Sequence, residues 1–161
     1  NQGIHGIDVL QYLMGPVKSV YGICRTLDRD IEVEDAAMAV VEYESGAIGT
    51  IVGATCVEPG YPCQIEINGS KGTIVLKDEE ILRWDVEGKE TEETVSTNKR
   101  RSFREPADFA FDSHKKQIED FLDAIEKGRK PLIDVYEGKK PVDIILGIYE
   151  SSKTGKKVML Q

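Results

Sequence analysis

The chain has 161 residues, 29 acidic and 21 basic, for a formal net charge of -8. That length fits one domain able to bury most of the surface its unfolded chain exposes. The acidic balance argues against a nucleic-acid or anionic-membrane partner, either of which needs a basic face.

The first segment, NQGIHGIDVLQYLMGP, reads as a helix of about three turns. Asn1 is placed to cap it, Gly15-Pro16 to stop it, and Ile4, Ile7, Leu10, Leu13 and Met14 recur at helical spacing on one side. His5 falls in the first turn, with Asp8 and Val9 three and four residues on and so on the same face. Such a histidine can reach a cleft while the helix stays anchored; by itself it reads first as a capping or packing residue.

Val17 to Leu27 alternates β-branched, aromatic and polar residues and reads as a half-buried strand, followed by an acidic loop, Asp28 to Asp35. Ala36 to Tyr43 and Ala47 to Val57 read as an antiparallel hairpin around Glu44-Ser45-Gly46, with the small residues Gly49, Gly53 and Ala54 on the second strand. Glu58 to Pro62 interrupts. Three short strands follow, Gln64 to Asn68, Thr73 to Lys77 and Ile81 to Val86, and Thr91 to Val95 could add a charged edge. Turns this short imply a meander.

The one basic cluster, Lys99 to Arg104, could meet a phosphate or carboxylate or be a solvated loop. Ala107 to Lys127 reads as a helix with Phe111, His114, Ile118, Phe121, Leu122 and Ile125 on one face, closed by Gly128. A lone histidine on such a stripe, His114, reads as a core or interface residue. Asp134 and Glu137 resemble a capping box for a last helix burying Val142, Ile145, Leu146 and Tyr149, and Val158 to Leu160 is a short apolar tail.

The order gives an α+β domain: an open, mainly antiparallel sheet with helices packed on one face. The other face must be solvated, or buried by another copy or another domain. Cys24, Cys56 and Cys63 lack paired spacing and clustered histidines, so they read as reduced core or near-core residues of a cytoplasmic protein, not as a disulfide framework or zinc site. No apolar run approaches a membrane span. The chain contains no G-x-G-x-x-G after a strand, no P-loop, no G-x-S-x-G and no H-E-x-x-H. It opens in mid-motif without an initiator Met, as part of something longer would.

Taken together, NQGIHGIDVLQYLMGPVKSV, INGSKGTIVL and HKKQIEDFLDAIEKGRKPLIDVYEGKKPVDIILGIYESSKTGKKV resemble the glucose-fructose oxidoreductase, inositol dehydrogenase and rhizopine catabolism (Gfo/Idh/MocA) oxidoreductases over nearly the whole chain. The resemblance implies a C-terminal, dihydrodipicolinate-reductase-like domain for substrate binding and oligomerisation over residues 1–161, with a Rossmann domain carrying NAD or NADP upstream. It implies hydride transfer from a secondary alcohol of a sugar, cyclic polyol or nucleotide-sugar, with the fragment alone inactive. A base must then reach the alcohol proton, a duty shared by a lysine of the Rossmann side and the histidine aligned with His5. The family's commonest residue four positions before that histidine is aspartate. Here it is Asn1, which cannot take a proton but can orient a substrate hydroxyl. Asp8 is a candidate substrate contact and otherwise a structural partner of the helix. Tyr12 is expected to pack where tryptophan is common. The resemblance further implies a homo-oligomer, dimer or tetramer, through the open sheet face, with no nucleic-acid or membrane partner. The alternative is a non-catalytic relative that binds a ligand or partner and senses dinucleotide redox state.

Overall fold

The computed structural model describes residues 3–78, 80–88 and 111–160. Asn1, the strand expected at Thr91 to Val95, the Lys99 to Arg104 cluster and the first turn expected at residues 107–110 lie outside them. In order the elements are α1 (Gly3–Met14), β1 (Val17–Arg25), β2 (Ala36–Tyr43), β3 (Ile48–Ala54), β4 (Gln64–Gly69), β5 (Gly72–Lys77), β6 (Glu80–Val86), α2 (Phe111–Lys127), α3 (Val135–Thr154) and β7 (Val158–Met159). The chain forms two compact units, residues 1–94 with 139–161, and residues 95–138.

The architecture is α+β, with all described strand pairs antiparallel, but the strands divide into two sheets, β3-β2-β1-β7 and β4-β5-β6. The break falls in the segment between β3 and β4, where Pro59 and Pro62 offer no N–H to continue a ladder. The apolar tail after α3 becomes the edge strand β7, pairing with Ser19 and Val20.

One face of the four-stranded sheet carries the core. Val20 of β1 and Ala39, Val41 and Tyr43 of β2 are buried with Ile7 of α1 and Ile144 and Ile148 of α3, so α1 and α3 cover this face. Val142, Leu146 and Tyr149, expected inside, are 40%, 56% and 41% exposed, whereas Pro141, Ile144, Gly147, Ile148 and Ser151 are buried. The reason is close approach. A methyl group at Gly147 would lie 2.8 Å from Leu160 and 3.0 Å from Val20, and one at Gly22 would lie 2.8 Å from Ile148. Small residues let α3 lie against β1, and an apolar periodicity does not register them.

Short β7 leaves part of the β1 edge unpaired, and α3 hydroxyls satisfy it. The Gly22 N–H donates to Ser151 Oγ at 2.9 Å, the Cys24 N–H to Ser152 Oγ at 2.8 Å, and Ser151 Oγ donates to the Lys156 carbonyl at 2.7 Å. Ser151→Ala removes a partner from a buried N–H and from a carbonyl at once. It is expected to lower unfolding free energy by about 1–3 kcal/mol, measured by urea denaturation.

The acidic loop between β1 and β2 is built around Asp35, which is 2% exposed. Its carboxylate accepts the N–H groups of Leu27, Asp28 and Arg29 at 2.7–2.9 Å, and those of Arg29 and Asp28 above all hold its carboxyl below the usual carboxylate range. Next to it, Tyr149 Oη donates to Glu34 Oε1 at 2.7 Å, which pushes the phenol up to about 12 and ties the loop to α3.

The opposite face of this sheet is open and largely apolar. Aligned rows across it are Ile23, Met38 and Val52, then Tyr21, Val40 and Thr50, then Ser19, Glu42 and Ile48. The apolar members are between 44% and 78% exposed. Charged rows flank the first two: Arg25, Ala36 and Ala54 at one end, and at the other the row of Glu42, which accepts from Ser19 at 2.9 Å and from Lys157 at 2.5 Å.

In the second unit, α2 ends at Gly128 in the left-handed region (φ 63°), and Arg129 binds Asp120 and Asp123 at 2.7 and 2.6 Å. Its expected buried stripe is open: Ile118, Phe121, Leu122 and Ile125 are each more than half exposed, and His114 is exposed. Asp134 caps α3 as expected, its Oδ1 accepting the N–H groups of Tyr136 and Glu137 at 2.9 and 3.1 Å.

Candidate functional site

The helix α1 runs Gly3–Met14 and ends as its sequence foretells: Gly15 takes φ 86° and donates its N–H to the Gln11 carbonyl at 2.9 Å. Its buried arc is centred on Ile7 and Gln11, 8% and 9% exposed, with Leu10 and Met14 packed against the core. Leu13, expected in that stripe, is 45% exposed, because at 3.6 residues per turn it lies roughly 120° around the helix from Ile7.

The opposite arc carries the candidate chemistry. His5 and Asp8 are both exposed on it, one helical turn apart and so neighbours along the surface. Among the described residues neither makes a hydrogen bond or ion pair, so the imidazole and the carboxylate are both available to a ligand. Asp8 therefore has no structural partner among these residues. Val9 and Tyr12 extend the same arc at 42% and 80% exposure. Tyr12 does not pack as expected; it stands outward because it follows His5 by seven residues, two full turns.

On its sheet side the first turn meets the three-stranded sheet. Gly6 faces Cys63, the residue that leads into β4, and a methyl group on Gly6 would lie 2.9 Å from the Cys63 Sγ. The Cys63 carbonyl accepts the Asp78 N–H at 2.8 Å, which fixes that backbone to the sheet. Burial, then the nearby Asp78 carboxylate, push the Cys63 thiol up. All three cysteines are free, and Cys63 is exposed, not near-core as expected from its sequence neighbours. The sequence holds one hint of this contact, a glycine inside a helix, where alanine would otherwise be favoured.

Among the described residues no three His, Cys, Asp or Glu side chains gather to hold a metal, and no helix is long and apolar enough to cross a membrane. No strand among them leads through a glycine-rich turn into a helix. What the site offers is an imidazole, a carboxylate one turn away and an aromatic ring two turns away, all exposed on one side of α1.

The chain is similar to several known proteins. The model of the GFO/IDH/MocA C-terminal domain matches residues 1–75, which include α1, β1 to β4 and the first residues of β5. The scyllo-inositol 2-dehydrogenase (NAD(+)) of Bacillus subtilis is 24% identical over 98% of this chain and 46% of its own length. The Myo-inositol 2-dehydrogenase of Thermotoga maritima is 27% identical over 94% of this chain and 44% of its own. Among solved structures, the WlbA dehydrogenase of Bordetella pertussis, in complex with NADH and UDP-GlcNAcA, superposes with a TM-score of 0.79 at 28% identity, covering 100% of this chain and 45% of that one. The chain thus spans about half the length of the curated relatives it matches.

Proposed function

We propose that the chain is a Gfo/Idh/MocA C-terminal domain, the substrate-binding half of an oxidoreductase that uses NAD or NADP on a secondary alcohol of a polyol, sugar or nucleotide-sugar. The observation that carries this reading is His5: exposed, unpaired among the described residues, and set on the first helix beside Asp8. As the alcohol carbon is oxidised its hydroxyl proton must leave, and the His5 imidazole is placed to take it. Asp8 accepts a second hydroxyl of the substrate, fixing which carbon faces the reaction. Asn1, four residues before His5 in the sequence, orients the reacting hydroxyl. The dinucleotide, held by other parts of the whole protein, would take up the hydride. This half alone is inactive.

Relatives that act on inositols and one that holds a nucleotide-sugar with NADH frame the substrate class. The test is the whole protein assayed with NAD and NADP against free inositols, aldoses and nucleotide-linked sugars, following dinucleotide reduction. Reduction with at least one of these supports the reading. Dinucleotide binding without hydride exchange to any of them would favour a non-catalytic redox-sensing relative instead.

The open sheet face supports self-association as a dimer or tetramer. Its two central rows carry no charge, and two such faces stacked would bury them sheet on sheet. Val40→Asp places a charge at the middle of this face, at a position already 53% exposed, so the fold is retained while assembly fails. Sedimentation of the variant is expected to give a smaller species than the wild type; an unchanged mass would exclude this face as the interface. No part of this reading calls for nucleic acid or a membrane, and a cytoplasmic location suits it.

A further inference from the structure

Helix α1 lacks the charged face that a helix at a water surface carries. Apart from His5, its one ionisable side chain is Asp8, with no acidic residue in the first turn and no basic residue in the last. Ile7, Leu10 and Met14 turn to the core. Val9, Tyr12 and Leu13 stand out on the other side, exposed, and none of them meets a neighbouring element that would cover it. A helix apolar on both sides belongs in an interior. The outward residues also share the arc of the proposed site. At 3.6 residues per turn Asp8, His5, Val9, Tyr12 and Leu13 span roughly 140°, and Tyr12 lies about 10 Å along the axis from His5, almost in line with it.

The chemistry of the site says what covers this arc. The imidazole must come within about 3 Å of the substrate hydroxyl. The carbon bearing that hydroxyl must stand about 3–3.5 Å from the dinucleotide carbon that takes the hydride. The part of the whole protein that holds the dinucleotide is thus brought within roughly 8 Å of His5, and a folded body that close overlies the next two turns of the same arc. This chain spans under half the length of its curated relatives, which leaves chain enough for such a part. A second copy has its place elsewhere, because the open sheet face lies on the side of the sheet away from α1.

We infer that Val9, Tyr12 and Leu13 form the docking surface for the dinucleotide-holding part of the whole protein, so that one arc of α1 both carries the proton acceptor and sets its distance from the cofactor. The inference rests on the proposed hydride transfer and adds the surface across which it occurs. Tyr12 is the anchor. Its ring supplies apolar area at low conformational cost, and its hydroxyl finds a hydrogen bond at the rim.

The test uses the whole protein. Tyr12→Asp places a charge in the junction and is expected to lower kcat about 10- to 100-fold, the cost of a small misplacement of the reacting groups. NADH affinity, titrated by the fluorescence of NADH, stays near that of the wild type, and Tyr12→Phe, which keeps the ring, retains most of the activity. Wild-type kcat in Tyr12→Asp, or a loss of NADH affinity as large as the loss of kcat, overturns the docking surface. A second measurement needs no turnover. Tyr12→Cys is labelled with benzophenone maleimide, mixed with an isotope-labelled copy, illuminated and digested. Cross-links from position 12 to peptides of the same copy outside residues 1–161 are expected; cross-links only to another copy, or none, overturn the inference. The two levels separate cleanly. If the cross-link forms but no substrate gives hydride transfer, the catalytic reading falls and the surface stands. If turnover is observed and the cross-link is missing, the surface alone is wrong.

Discussion

His5→Ala in the whole protein is expected to lower kcat by at least ~100-fold, the usual worth of a positioned proton-transfer group. The side chain is exposed on α1 and makes no hydrogen bond or ion pair among the described residues, so its loss leaves no buried group unsatisfied. Thermal stability should therefore stay near that of the wild type. The loss should appear in kcat more than in KM, because the interaction strengthens as the hydroxyl proton leaves. Near-normal turnover would remove His5 from the chemistry and shift the proton to a group in the other half of the protein. Asp8→Asn, on the same arc, keeps shape and a hydrogen-bonding oxygen, and so gives a milder comparison for the same assay.

The largest expected effect on stability is at Gly72, which opens β5 after the Gly69 to Gly72 turn. Its φ is 153°, and a methyl group there would lie 2.1 Å from the Asp85 carbonyl oxygen and 2.7 Å from the Val86 Cα. Both atoms belong to the backbone of β6, so no side-chain rotation relieves the clash, and the paired strands must separate. Gly72→Ala is expected to cost more than about 3 kcal/mol, read as a fall in Tm or in the urea midpoint. Gly69→Ala is the control. Its added methyl group would approach nothing closer than the Gly72 carbonyl at 3.7 Å, an ordinary contact, and only a small change is expected. Equal stability of the two variants would mean that the β5–β6 pairing tolerates a side chain at position 72.

Local chemistry explains which parts of this architecture could be read from residues alone. The turns at Gly15-Pro16, Glu44 to Gly46 and Gly69 to Gly72 each demand a particular backbone, and the strands they bound fall within a few residues of expectation. Asp134 was legible as a cap for the same reason. His5 and Asp8 share an arc because a three-residue spacing on a helix allows little else. The buried faces of α1 and α3 were misread because burial there depends on close approach. Gly147 and Ser151 are inside, while Leu13, Leu146 and Tyr149 are partly outside. The hydrophobic period rewards size, whereas contact between a helix and a strand rewards smallness.

Two features had almost no local signal. Asp35 lies in an acidic loop where any carboxylate would look solvated, yet it is the one that turns inward to three backbone N–H groups. The approach of Cys63 to Gly6 joins residues 57 positions apart through the packing of a helix on a strand end. Both are long-range outcomes of the fold. The division of the strands into two sheets is of the same kind, set by where the chain leaves the ladder at Pro59 and Pro62.

The most direct measurement of the central claim is hydride transfer itself, followed with a substrate carrying deuterium on the carbinol carbon. With the whole protein, oxidised dinucleotide and a deuterated inositol or nucleotide-sugar that it accepts, the account predicts deuterium in the reduced dinucleotide, formed at least ~100-fold more slowly in His5→Ala. Deuterium that never reaches the dinucleotide in the wild type, across the polyols and sugars named above, would contradict it.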